Sequence, residues 1–285
     1  MGPESHPRAR RMQNMTTTSD AERFRTEAAK YAAYLETPEG RLRIELAIAN
    51  LQEFLPQLTR PLFALDLGGG PGATAVRLAR LGFHVTLLDE SLPMLDFAER
   101  AAREAGFTDK IALKHGDASQ LTTIFPAGSF DLVLCHNVLE FVDDPSAVLR
   151  DSARTLRDSS GIISVLVRNQ PGEVLKAALQ SGDLAAAERN LTAEWGDESL
   201  YGGRVRLFTA EKLNSMLVTA SFAMTAIRGV RVVSDYLPPG IHRNNEYQQI
   251  FELERKLGSR PDFAAVARYT HCVAHHTRPT KRENA

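Results

Sequence analysis

The chain has 285 residues, of which 43% are hydrophobic, enough for one α/β domain with insertions around a sizeable core. A formal net charge of −1 provides no global basic field, so any attraction to nucleic acid has to be local. The longest apolar runs are strand-sized, which excludes a membrane-spanning helix, and the two cysteines, Cys135 and Cys272, cannot build a zinc centre by themselves. Both read as small hydrophobes in strands, reduced in a cytoplasm, and no metal is expected.

Residues 1–20 contain Arg8, Arg10 and Arg11 and then Thr16-Thr17-Thr18-Ser19. They lack the apolar core of a secretory signal and read as a flexible leader, with Met12 and Met15 as alternative starts. Residues 21–60 read as N-terminal helices over the mouth of a ligand site. One is polar, from Ala21 to about Thr37. The other, Gly40 to Phe54, is amphipathic through Leu42, Leu46, Ile48, Ala49 and Leu51.

Residues 61–169 read as alternating strands and helices. Phe63–Leu67 is a short buried strand, and Gly68-Gly69-Gly70-Pro71-Gly72 lets the backbone turn sharply and approach a ligand without Cβ clashes. Thr74–Leu81 is a helix whose N-terminal N–H groups face that ligand. Val85–Leu88 is a second strand ending at Asp89, 19 residues after Gly70, where an acid can accept from ribose hydroxyls. To this point two cofactors fit, a nicotinamide dinucleotide through Gly68-x-Gly70-x-x-Ala73, or S-adenosylmethionine. Ile111–His115 is a third strand followed by Gly116-Asp117-Ala118, where Asp117 either receives an adenine or caps the next turn. Phe130–Cys135 is a buried fourth strand with His136 and Asn137 at its carboxyl end, the end at which open α/β sheets bind ligands. A helix over Pro145–Leu156 and a fifth strand over Gly161–Val167 lead to Arg168-Asn169.

Residues 170–222 read as a helical cap insertion, with helical spacing in Val174, Leu175, Ala178 and Leu179 and again over Leu184–Leu191. The cap holds the sole tryptophan, Trp195, and Tyr201, each suited either to stacking a base or to packing the cap. Thr209 is the expected N-cap of a helix without a capping box. Residues 223–277 return to the core through strands at Thr225–Val233 and Tyr269–His275, an antiparallel pair at one edge, and His275-His276 read as solvated tail.

The succession Leu65-Asp66-Leu67-Gly68-Gly69-Gly70-Pro71-Gly72, Asp89, Gly116-Asp117-Ala118, Phe130-Asp131-Leu132-Val133 with His136, and Leu156-Arg157-Asp158-x-x-Gly161-Ile162 resembles the class I S-adenosylmethionine-dependent methyltransferase family over about Phe63 to Val167. That resemblance implies a Rossmann-like doubly wound seven-stranded sheet, mostly parallel with an antiparallel edge strand, and S-adenosylmethionine rather than a dinucleotide. With both flanks added, from Ala21-Glu22-Arg23-Phe24 to Arg268-Tyr269-Thr270-His271, the layout is similar to bacterial tRNA carboxyl methyltransferases that act on a modified wobble uridine. The similarity is loose between Gln170 and Ala226, where substrate determinants are expected.

The resemblance implies the site residues. Gly68, Gly69 and Gly70 would meet the methionine end of the cofactor, Arg43 its carboxylate, Asp89 the ribose diol, Asp117 and Ala118 the adenine, and His136 the methionine moiety. Arg168, Arg231 and Tyr236 are the candidate acceptor contacts, each with a structural ion pair or packing role as its alternative. No catalytic residue is assigned. A carboxylate acceptor is ionised at neutral pH and needs no general base, whereas a hydroxyl or amine acceptor would need one, with His136 or Asp235 as candidates. No Asn-Pro-Pro-Tyr-type tetrad follows strand four, which argues against amide methylation. Three functions follow for test: a carboxyl methyltransferase of tRNA, a small-molecule O- or N-methyltransferase of the same fold, and a cofactor-binding protein without turnover.

Overall fold

The computed structural model describes residues 20–56, 59–157, 160–198, 200, 202–238, 241 and 244–277. Residues 1–19 of the proposed leader, Tyr201 and Asp158 lie outside the described residues, and the leader's last residue, Asp20, begins the first helix. Three helices come first, α1 (Asp20–Thr26), α2 (Ala28–Leu35) and α3 (Pro38–Gln52). The single polar helix expected up to Thr37 is broken at Glu27. The two pieces have different tasks: Phe24 of α1 packs edge-on to Phe141, whereas α2 buries Ala28 and Leu35. Thr37 caps α3 by accepting from the Gly40 N–H, with Pro38 in the first turn. A Cβ on Gly40 would meet the Tyr34 carbonyl at 2.2 Å, so only glycine lets α2 and α3 lie this close. The amphipathic reading of α3 undercounts its burial: Arg43, Ile44, Ala47 and Asn50 are buried as well.

The core alternates strand and helix: β1 (Phe63–Leu67), α4 (Ala73–Arg80), β2 (His84–Asp89), α5 (Leu92–Glu104), β3 (Ile111–His115), α6 (Leu121–Ile124), β4 (Leu132–His136), α7 (Pro145–Thr155) and β5 (Ile162–Arg168). The segment over the cleft holds α8 (Gln170–Leu175), α9 (Leu184–Asn190) and a hairpin of β6 (Trp195–Asp197) and β7 (Arg204–Arg206). Then come α10 (Ala210–Thr219), β8 (Phe222–Val230), α11 (Tyr247–Gly258), α12 (Pro261–Ala264) and β9 (Tyr269–His276).

The seven-stranded sheet has the order β3-β2-β1-β4-β5-β9-β8. β1 to β5 pair in parallel, and β9 runs antiparallel to both β5 and β8, so the antiparallel pair lies at one edge. Successive residues of each strand point to opposite faces, and both faces are covered. Leu65, Leu67, Val133 and Cys135 enter one core with Val148, Leu149, Leu213 and Leu217, while Ala64, Leu132 and Leu134 enter the other with Leu51, Leu78 and Ala98. Burial on both faces explains why these strands read as continuous apolar runs. The fourth strand starts at Leu132 rather than Phe130, because the Asp131 carboxylate accepts from the Phe63 N–H at 2.8 Å and two residues earlier only an isolated bridge forms. His275 and His276 are not a solvated tail: both belong to β9, and His276 is buried.

Candidate active site

The chain steps outward from β1 to β2 and β3, then returns to the other side of β1 with β4. At this switch point, outside the carboxyl ends of the strands, an α/β sheet leaves a crevice. A cavity of about 750 Å³ opens there. Gly68 and Gly70 adopt φ of 61° and 53°, and a Cβ on Gly68 would reach 2.6 Å from Val138 Cγ2. Both glycines line the cavity, whereas Gly69 faces a smaller void with Asp66 beside it. Asp89 holds the turn: its carboxylate accepts from the Gly70 N–H and the Ser91 N–H, each at 2.9 Å. Burial nevertheless raises the Asp89 carboxyl above its ordinary range. Asp117 caps the short 3₁₀ turn Ala118–Gln120 by accepting from Ser119 N–H at 2.7 Å, and with Ala118 it also lines the cavity, so capping and lining coexist.

His136, at the end of β4, lines the cavity and is tied into a buried relay across the sheet. Its Nε2 lies 2.8 Å from Ser164 Oγ, which lies 2.8 Å from His271 Nε2, and His271 Nδ1 is 3.4 Å from Asn50 Nδ2. With the Asn50 amide donating, His271 carries its proton on Nε2 and donates to Ser164. Ser164 then donates to His136 Nε2, which leaves the His136 proton on Nδ1. Burial, reinforced by His271 and Arg43, holds His136 well below its ordinary range, and burial pushes His271 down to about 3. Both rings are therefore neutral. The one lone pair of His136 is engaged by Ser164, and Asp235 is bound by Arg231, so neither candidate base is poised to take a proton.

The inner end of the cavity is built from arginines. Arg168 reaches Glu173 at 3.1 Å and Glu198 at 2.6 Å. Arg268 bonds the same Glu173 oxygen and lies 3.8 Å from Asp235. Arg231, at φ 61°, donates through Nε to Asp235 at 2.8 Å and through Nη1 to the Tyr34 hydroxyl at 2.9 Å. Three guanidiniums thus share three carboxylates in one buried network, and Arg43 and Lys176 on the same wall add positive charge. Arg43 donates to the Tyr31 hydroxyl at 2.7 Å and sits 5.4–5.7 Å from the rings of Tyr31, Tyr34 and Tyr269. Burial raises the Tyr269 phenol, but Arg43, Arg168, Arg231 and Arg268 outweigh it and bring the phenol down to about 8.

The structure brings Arg43, Gly68, Gly70, Asp89, Asp117, Ala118, His136, Arg168 and Arg231 to one cavity. It does not bring Tyr236 there. That residue lies in a 3₁₀ turn beside Asp235, its phenol pushed up to about 12 by burial and by the Asp235 charge. Sequence reasoning passed over Tyr31, Tyr34, Lys176, Arg268 and Tyr269, which also line the cavity. The Arg268-Tyr269 pair at the head of β9 was the available signal, since a charged residue at the head of a strand that enters the sheet needs a buried partner.

Residues 65–164 match the family model of a methyltransferase domain. With the doubly wound sheet and the glycine turn at its switch point, this defines the class: the chain carries a methyltransferase domain, on the fold of S-adenosylmethionine-dependent methyltransferases. Among particular proteins, it is similar to the tRNA 5-carboxymethoxyuridine methyltransferase of Escherichia coli strain K12, at 29% identity over 246 residues, covering 84% of this chain and 89% of that one. The ubiquinone biosynthesis O-methyltransferase of Caulobacter vibrioides is 38% identical over 117 residues, covering 41% of this chain and 45% of its own. The solved 1,6-didemethyltoxoflavin-N1-methyltransferase of Burkholderia thailandensis, with bound S-adenosylhomocysteine, shares the fold at a TM-score of 0.56 and 18% identity, covering 90% of this chain and 89% of that one. Among the described residues no helix is long and apolar enough to cross a membrane, and no group of three or more His, Cys, Asp or Glu is placed to hold a metal ion.

Proposed function

We propose that this enzyme methylates the carboxylate of 5-carboxymethoxyuridine in tRNA. The observation that carries the reading is the inner wall of Arg43, Arg168, Arg231, Arg268 and Lys176, a positively charged end to the cavity beyond the glycine turn. A carboxylate there is drawn to the wall by charge-assisted hydrogen bonds, which a neutral hydroxyl cannot match. The similarity to the E. coli tRNA enzyme over most of both chains supports the same acceptor.

The cavity suits S-adenosylmethionine. Gly68 and Gly70 leave a cradle that a Cβ would fill, Asp89 offers carboxylate lone pairs to a ribose diol, and Arg43 offers a planar guanidinium to the methionine carboxylate. Asp117 and Ala118 border the adenine end, and the His136 Nδ1–H is a neutral donor beside the methionine end. When bound, S-adenosylmethionine supplies an activated methyl group on a sulfonium. The protein's own contribution is then alignment. Arg168, Arg231 or Arg268 holds one acceptor oxygen, so that the other keeps its nucleophilicity and faces the methyl group in line. A carboxylate needs no deprotonation, which agrees with a cavity whose histidine and Asp235 are already engaged. A tRNA substrate places this activity in the cytoplasm.

The test is transfer of tritiated methyl from S-adenosylmethionine to tRNA that lacks wobble methyl esters, beside a small-metabolite extract. Label in tRNA released by mild alkali identifies a methyl ester. Label confined to metabolites would overturn the reading in favour of a small-molecule O- or N-methyltransferase, the reading favoured by the 117-residue similarity to the ubiquinone enzyme. Cofactor binding with no label in either fraction would overturn both in favour of a non-catalytic cofactor-binding protein.

A further inference from the structure

The β6–β7 hairpin forms part of the cavity rim, and its two faces differ in kind. The register pairs Trp195 with Arg206, Gly196 with Val205 and Asp197 with Arg204. Val205 is buried and lines the cavity, and the missing Cβ of Gly196 would point at Leu207. Side chains alternate across a strand, so Trp195, Arg204 and Arg206 share the opposite, outward face with Asp197, whose one carboxylate leaves that face with a net positive charge. Trp195 is 37% exposed, an unusual place for the only tryptophan of the chain. The Arg206 and Arg204 guanidiniums lie 4.6 and 5.0 Å from its ring centroid. The hairpin is tied to the rim: Arg206 N–H donates to the Glu140 carbonyl at 3.1 Å, Arg206 Nη2 to the Asp143 carbonyl at 3.4 Å, and Arg23 of α1 to the Gly202 carbonyl at 3.0 Å. Glu198 and Leu200, in the connection between its strands, line the cavity.

We propose that this outward face is a docking platform for the single-stranded RNA that flanks the acceptor nucleotide. One neighbouring base stacks on Trp195, and Arg204 and Arg206 meet the phosphates on either side of it. The inference rests on the tRNA reading above. Three features argue for RNA as the occupant. An aromatic face flanked by guanidiniums matches a base between two phosphates, in stacking and in charge. The position is right, because an acceptor inserted in the cavity leaves its chain neighbours at the rim. Finally, a chain of net charge −1 cannot draw RNA by its overall field, so the cationic contacts have to be concentrated at the mouth.

The sole tryptophan makes the platform its own probe. The full chain, saturated with S-adenosylmethionine, is titrated with a fluorescently labelled anticodon stem-loop and, separately, with the unlabelled one. Anisotropy reads binding, and intrinsic tryptophan emission reads stacking. The expected result is saturable quenching of Trp195 with the same midpoint as the anisotropy change. Trp195→Ala should weaken stem-loop binding by roughly tenfold or more, the range for loss of one stacked base. Trp195→Phe should restore most of it. Arg204→Ala with Arg206→Ala should flatten the dependence of affinity on salt, while cofactor affinity in all variants stays at the wild-type value. Stem-loop binding with unchanged tryptophan emission and an unaltered Trp195→Ala affinity would overturn the platform and leave the tRNA reading standing. No stem-loop binding by the wild type, together with no methyl transfer to tRNA, would overturn both.

Discussion

Replacing Ser164 with alanine tests the relay that fixes His136. The hydroxyl is fully buried and makes two bonds of 2.8 Å, one to each histidine. Its removal leaves the His271 Nε2–H, on a ring with no exposed surface, without an acceptor, and the His136 Nε2 lone pair without a donor. An orphaned buried polar group costs about 1–3 kcal/mol, so the pair should cost about 2–4 kcal/mol, since His136 can relax toward the cavity. For a chain of this size that lowers the midpoint of thermal unfolding by about 3–7 °C. Urea unfolding followed by circular dichroism supplies the free energy. Nitrogen-15 spectra of the imidazoles supply the second readout: wild-type His136 should show the Nδ1–H tautomer, and Ser164→Ala should show a mixture. Cofactor affinity should fall as well, because the His136 ring loses its fixed orientation. A loss below about 0.5 kcal/mol, with the His136 tautomer unchanged, would refute the hydrogen-bond account, because a surface-like hydroxyl is the only kind that leaves so little trace.

Three other outcomes follow from the same structure. Arg43→Ala should lower S-adenosylmethionine affinity by about tenfold or more in calorimetry, and Arg43→Lys should recover little, since an ammonium cannot present the planar fork; an unchanged affinity would remove Arg43 from the cofactor site. Arg168→Ala strands Glu198 in a buried network, leaves Glu173 with Arg268 alone, and should cost about 3–5 kcal/mol in chemical denaturation, beyond its effect on the acceptor. Asp66 supplies a pH dependence: burial, with Asp89 adding, lifts its carboxyl to about 7 in the folded chain. The folded state therefore keeps a proton that the unfolded state releases near pH 4, so stability falls as pH rises from about 4 to 7, by at most about 4 kcal/mol. Asp66→Asn should flatten that slope, and an identical slope in the variant would show that another group titrates.

The glycine turn, Asp89, the five parallel strands and their apolar runs were legible in the sequence because each rests on local chemistry. Glycine at positive φ, an acid at a strand end and unbroken hydrophobic runs between turn signals carry their meaning within a few residues. Even the caps at Thr209 and Asp117 follow from contacts two or three residues away. The break of the first helix at Glu27 and the burial of His276 did not follow, because each depends on what packs against the segment.

The arginine wall was only partly legible for the same reason. Arg43, Arg168, Arg231 and Arg268 come from α3, the end of β5, the turn after β8 and the residue before β9, and nothing in their spacing brings them together. Their carboxylate partners Glu173, Glu198 and Asp235 are likewise scattered. The return of β9 between β5 and β8 places Arg268 and Tyr269 beside Arg168, and α3 lying against that edge delivers Arg43. Sequence by itself determined the class of chemistry, since a methyl donor is recognised by a local turn. The acceptor end was decided only by the tertiary structure, since a charge cluster forms where distant elements converge and low dielectric makes their charges count.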